Sequence, residues 1–170
     1  ILESSYNPGL MSDKTKAEWD MLSAVLRDSL KMKMDMDTAQ FRKTVIYYEN
    51  KNSFEDKARA GLYYGRALAE AGDYKNAIQV YIAAVERAEI AQDYNLAGYI
   101  SNFTARLYSK ELESTLARDY YGKAAEYFAK AKNYRREVIA LREIATTYLM
   151  EYDNQNALNT LARADSLSLQ

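Results

Sequence analysis

The chain has 170 residues, 48% of them apolar and 28% charged, and a net charge of −1. That is enough apolar content for one domain with a sizeable core, and too little net charge to draw in nucleic acid or an anionic membrane. Cysteine and histidine are both absent, which excludes disulfides, thiolate nucleophiles, histidine metal sites and Ser-His-Asp or Cys-His catalysis.

A single proline and six glycines favour helices throughout. No apolar run is long enough to cross a membrane and no signal peptide is visible. A chain that opens on Ile1 reads as a processed or truncated piece, from which a targeting segment could have been removed. The lack of cysteine fits an oxidising compartment.

In chain order, Asn7-Pro8-Gly9 reads as a turn. Ser12 or Asp13 then caps a helix carrying Ala17, Met21, Ala24, Val25 and Leu26, with Trp19 and Leu22 beside that stripe. A join near Asp35–Asp37 leads to a second helix, about Thr38 to Glu49, with Phe41, Val45, Ile46 and Tyr48 as its apolar face. Asp35 and Asp37 lack the spacing of a calcium loop and read instead as acids at a helix start.

After a polar joint at Asn50–Asp56 the chain repeats itself with a shift of 40 residues. Gly65, Ala105 and Ala145 fall in register, as do Leu68, Tyr108 and Tyr148. So do Ala77, Ala117 and Ala157, then Tyr81, Tyr121 and Leu161, then Ala84, Ala124 and Ala164. Each unit reads as two helices, about Asp56–Ala71 with Asp73–Ala91, Tyr94–Lys110 with Glu113–Ala131, and Tyr134–Met150 with Asn154–Ser166. The short joins force antiparallel neighbours, and small residues in fixed columns let the helix backbones approach. Units that cannot bury their own apolar faces stack into a solenoid. Residues 1–55 form the N-terminal helices, a degenerate pair, and residues 56–170 form three pairs (56–92, 93–132 and 133–170) within one domain.

These columns resemble the tetratricopeptide (TPR) signature of aromatic, Leu-Gly, Tyr, Ala, aromatic and Ala. Tyr64-Gly65, Leu68, Gly72-Asp73-Tyr74, Ala77, Tyr81 and Ala84 look like it, and the second and third units follow. The signature's first large residue is replaced by Gly61 and Ser101, filled by Leu141, and its closing proline is absent. Units longer than the usual ~34 residues imply longer helices. The stretch from TKAEWDML to GDYKNAI is also similar to exported TPR domains of Bacteroidetes, found in envelope lipoproteins and membrane-tethered regulators.

The resemblance implies an all-α, right-handed superhelix of antiparallel helix pairs and a non-catalytic protein- or peptide-binding scaffold. It also implies a periplasmic or cell-envelope setting. A ligand is expected on the concave face, lined by the first helix of each unit. Carried over, that face holds Arg59, Leu62, Arg66, Ala69 and Glu70, then Tyr99, Asn102, Arg106, Ser109 and Lys110, then Ile139, Arg142, Thr146, Leu149 and Met150. Its cations suit a peptide carboxylate or an acidic segment. The bland alternative is solvated cations paired to Glu70 and Glu143. The family's clamp for a terminal carboxylate wants Lys and Asn where Leu62 and Arg66 stand.

Tyr63, Tyr99 and Tyr120 fall off the repeat columns and read as interface candidates. Asn102-Phe103-Thr104 matches a glycosylation sequon, but Thr104 sits in a core column. The acid pairs Glu86/Glu89 and Glu111/Glu113 sit on helix surfaces, there is no phosphate loop, and no cofactor or metal is expected. Arg135 and Arg136 are locally basic but form no nucleic-acid stripe. Gly61 leaves a vacancy that a side chain of the Thr38–Glu49 helix is expected to fill. Leu167 and Leu169 are expected to pack outside this stretch or on a second chain, which would give self-association through the terminal helices. A sensory module and a purely structural assembly module remain alternative functions.

Overall fold

The structure, a computed structural model, describes residues 11–32 and 37–168. These residues form eight helices and no strand: α1 (Asp13–Ser29), α2 (Thr38–Glu49), α3 (Phe54–Glu70), α4 (Tyr74–Ile90), α5 (Tyr94–Lys110), α6 (Ser114–Lys130), α7 (Tyr134–Met150) and α8 (Asn154–Ser168). Each helix packs mainly on its chain neighbours, and α3 also touches α1 and α5. The result is a stack of antiparallel helix pairs. The buried side chains form several clusters along the stack rather than one central core.

One turn recurs at the junctions. The residue after the C-cap adopts a left-handed backbone at every helix end from α3 to α7, at Gly72, Gln92, Leu112, Lys132 and Tyr152, and at Lys31 after α1, but not after α2. The next amide then reaches back into the helix, as in Asp73 N to Leu68 O at 2.9 Å and Glu113 N to Tyr108 O at 2.9 Å. This is a helix-stop motif in which only Gly72 escapes the steric cost of a Cβ at positive φ. The residue that follows caps the next helix. Ser53, Asp73, Asp93 and Asn133 accept a backbone amide with their side chains, whereas Glu113 does not. Asp37 caps α2 through Ala39 N at 2.9 Å, while Asp35 lies outside the described residues.

The small columns are buried as the repeat requires. Ala77, Ala117, Ala157, Ala84, Ala124 and Ala164 have essentially no exposure. In the first pair, Asp20 stands 40 residues before Ala60 and Thr44 stands 40 before Ala84. There a hydrogen bond replaces the apolar contact, because the buried Asp20 carboxylate accepts from the Thr44 hydroxyl at 2.6 Å and from Gln40 Nε2 at 3.1 Å. Successive second helices are pinned by pairs 38 residues apart, Arg87 to Glu49 at 2.5 Å and Tyr127 to Glu89 at 2.6 Å.

Several expectations change. The space at Gly61 is taken by Ala84 of α4, whose Cβ would lie 2.8 Å from a Cβ there, so no side chain of α2 enters. Leu22, Leu26 and Ile46 are exposed, and the inner faces of α1 and α2 are Ala17, Met21, Ala24, Phe41 and Thr44. Leu167 packs inside the chain against the Ala124–Phe128–Leu141 cluster, and Leu169 lies outside the described residues.

Candidate functional site

The first helices α3, α5 and α7 carry the residues expected to bind. On α5, Phe103, Arg106 and Lys110 share one face because they are spaced three and four apart. On α3, Arg66 and Ala69-Glu70 face the same way. Between them opens a cavity of ≈ 320 Å³ lined by Arg66, Ala69, Glu70, Tyr74, Tyr81, Phe103, Arg106, Leu107 and Lys110.

Gly65 makes this cleft possible. A Cβ at that position would overlap the Tyr81 ring, so the ring lies directly against the α3 backbone. Phe103 then stacks on Tyr81, with centroids 6.2 Å apart and planes 30° apart. The Phe103 ring carries two guanidiniums, Arg66 at 5.1 Å and Arg106 at 5.9 Å, and the Lys110 ammonium lies 5.2 Å from the Tyr74 ring. Burial pushes the Tyr81 hydroxyl well above its ordinary range, opposed by Arg66 and Arg106 and helped by Glu70.

The cations differ in how they are satisfied. Arg66, only 16% exposed, bonds Asp28 of α1 at 2.6 Å. Arg59 bonds Glu55 at 2.8 Å and sits 3.9 Å from Asp93. Arg106 and Lys110 lie over the Phe103 and Tyr74 rings, and Glu70 lines the same cleft.

The other expected site residues do not join this cleft. Leu62 is buried in the core cluster of α3, α4 and α5 and offers no surface. Tyr63 is likewise buried, 6% exposed, against Met21, Ala24 and Phe41, so it is no interface residue. Tyr99 sits edge-on to Phe128 at 5.4 Å with Arg136 4.7 Å above it. Tyr120 stacks on Tyr108 at 5.3 Å. The Asn102 Oδ1 is buried without a partner, as is Ser101 Oγ, and the buried Thr104 hydroxyl donates to Ile100 O at 3.0 Å. Thr146 satisfies its hydroxyl on Arg142 O at 2.9 Å, and Leu149 is exposed. Phe103 and Tyr74 are site residues that sequence reasoning missed. The Phe103-x-x-Arg106 spacing was the available signal, hidden because Phe103 was read only as the middle of a sequon.

Among the described residues, no group of three or more acidic side chains is placed to hold a metal, and no helix is long and apolar enough to cross a membrane.

The stacked pairs define the class of protein. This is an all-α, TPR-like helical solenoid. Among solved structures it is similar to the apo form of RapI, with TM-score 0.75 and 13% identity, over 94% of this chain and 58% of that one. It is similar to BtubC from P. vanneervenii, with TM-score 0.72 and 15% identity, over 94% of this chain and 65% of that one. It also matches the nearly identical TPR-like repeats of Podosopora anserina, with TM-score 0.69 and 13% identity, over 94% of this chain and 78% of that one. The chain thus spans about three fifths of the first two proteins. No protein-family model matches the sequence, and neither does any curated protein sequence.

Proposed function

We propose that this protein is a non-catalytic scaffold that holds an acidic peptide segment along the concave face formed by α3, α5 and α7. One observation carries the reading. Arg106 and Lys110 stand on that face, next to a cleft with aromatic walls that Glu70 also lines. Cations beside apolar walls attract a complementary carboxylate more strongly than in open water, because the less polar setting strengthens the charge–charge attraction, while the water both partners lose opposes it. Arg142 extends the positive surface onto α7.

A displayed peptide library tests this. Wild-type protein is expected to enrich acidic sequences, and the Arg66→Ala/Arg106→Ala/Arg142→Ala variant to lose that enrichment while keeping its helical content. Enrichment that the triple substitution leaves untouched rules out this face.

A second reading, assembly through the terminal helices, is favoured by Leu149, Met150, Tyr152 and Leu158, which are all exposed where α7 meets α8. In this reading those side chains pack on a second chain, and sedimentation of wild type against Leu158→Glu decides it. The periplasmic or envelope setting belongs to the proposal and rests on sequence resemblance alone. A role as the sensory module of a membrane-tethered regulator has the same support.

A further inference from the structure

We infer that copies of this chain stack end to end, the outer face of α7 and α8 in one copy seating on the α1–α2 groove of the next, in the register of the repeat. This arrangement rests on the reading of assembly through the terminal helices and adds the surface that receives them.

Between α1 and α2 opens a groove of ≈ 690 Å³ whose lining includes Asp13, Lys16 and Tyr47. In the later units these three positions touch the preceding unit. Tyr47 stands one and two periods before Arg87 and Tyr127, which bond Glu49 and Glu89 of the unit before them. Asp13 and Lys16 stand three periods before Asn133, which bonds Asn95 at 2.8 Å, and Arg136, which lies over the Tyr99 ring. Helix α1 keeps this register, because it buries Ala17, Asp20 and Met21 where α7 buries Glu137, Ala140 and Leu141. The groove is therefore a unit-to-unit surface, and no unit among the described residues lies on it.

The outer face of the last unit matches it. Advancing each observed contact by whole periods puts its first partner in α7 or α8 and its second in α1 of another copy. The Asn95–Asn133 hydrogen bond becomes Arg135 against Asp13, a base against an acid. The Asp28–Arg66 ion pair becomes Tyr148 against Leu26, an apolar contact. Tyr99 beneath Arg136 becomes Ile139 beneath Lys16, whose aliphatic stem can cover it. Leu158 takes the place of Arg118 and comes to the end of α1, where Leu30 is 60% exposed. Asp13, Leu26, Arg135, Ile139 and Leu158 are all exposed, so each is open to a second copy. None of these contacts sets like charges together, and the Arg135–Asp13 pair fixes the register. A head-to-tail contact leaves one groove and one outer face open at the two ends, so copies add into an open filament rather than a closed dimer.

Sedimentation of the full 170-residue chain at rising concentration tests this. Wild type is expected to grow past the dimer. Asp13→Lys alone and Arg135→Glu alone should each weaken association about 5-fold, the upper end for one exposed ion pair. An equimolar mixture of the two variants should recover wild-type association, because each supplies the charge that the other lacks. The double variant should recover it too. Circular dichroism checks that every variant keeps its helices. Association that stops at a dimer, that Asp13→Lys leaves untouched, or that the mixture fails to restore would overturn the head-to-tail arrangement. If Leu158→Glu still abolishes association in that case, the terminal-helix reading stands and α7 and α8 meet a different surface. If wild type stays monomeric throughout, both are wrong.

Discussion

The guanidinium of Arg118 in α6 bonds the carboxylate of Glu151, just past the end of α7, at 2.6 Å and lies 4.7 Å from the Tyr148 ring. The contact ties the second helix of one unit to the first helix of the next. Its repeat counterparts are Ile78, which packs into the core beside α5, and Leu158, which is 63% exposed. One column therefore holds an apolar contact, a charged one and an uncovered one.

Arg118→Ala is expected to destabilise the fold by about 1 kcal/mol, a figure already discounted for the partial exposure of Glu151. Arg118→Ile, which copies the preceding unit, should lose less because it keeps the Tyr148 ring covered. Urea unfolding of the two variants checks the order, and equal losses would mean the contact contributes charge alone.

Gly65 is expected to resist enlargement. Gly65→Ala drives a methyl group into the Tyr81 ring, and such overpacking costs about 1–3 kcal/mol. Adding Tyr81→Leu should recover part of the loss, since Ala145 and Leu161 occupy the same columns in the third unit. A double-mutant cycle by thermal unfolding measures the coupling. Strict additivity would refute it.

The turn between α5 and α6 is the weakest of its kind. Leu112 sits at φ 62 with its side chain almost fully exposed, and the following Glu113 makes no side-chain cap. Leu112→Gly is expected to stabilise by about 1 kcal/mol by removing the left-handed strain. Glu113→Asp should add about 0.5–1 kcal/mol by supplying the cap that Asp73 and Asp93 provide. Each variant is read from its unfolding midpoint.

Stability should fall at alkaline pH for an identifiable reason. Burial raises the Tyr63, Tyr81, Tyr121 and Tyr127 hydroxyls above their ordinary value of 10.0, and Tyr127 is raised further by its bond to Glu89. Below pH 10 these phenols are neutral folded and unfolded, and their contribution is whole. Above it the unfolded chain releases protons that the fold retains, so stability drops as pH rises toward the folded pKa values. Melting curves between about pH 8 and 12 should show the drop, and Tyr81→Phe should make it shallower.

The sequence by itself determined the repeat and its columns. Six buried alanines follow from a 40-residue period, because packed helix pairs demand small residues at fixed intervals. From the third helix on, helix limits were also legible to within about two residues, since the short breaks AGD, KEL and EYDN interrupt the repeat. Only the tertiary structure decided what each side chain meets. It buried Leu62 and Tyr63, gave the space at Gly61 to Ala84, and joined Arg66 to Asp28 across 38 residues. It also brought Arg106, Lys110 and Glu70 to the lining of one cleft. A period tells which residues share a column. The offset at which one unit settles on the next depends on side-chain volumes from three helices at once, and that offset sets which charges are met and which stay open.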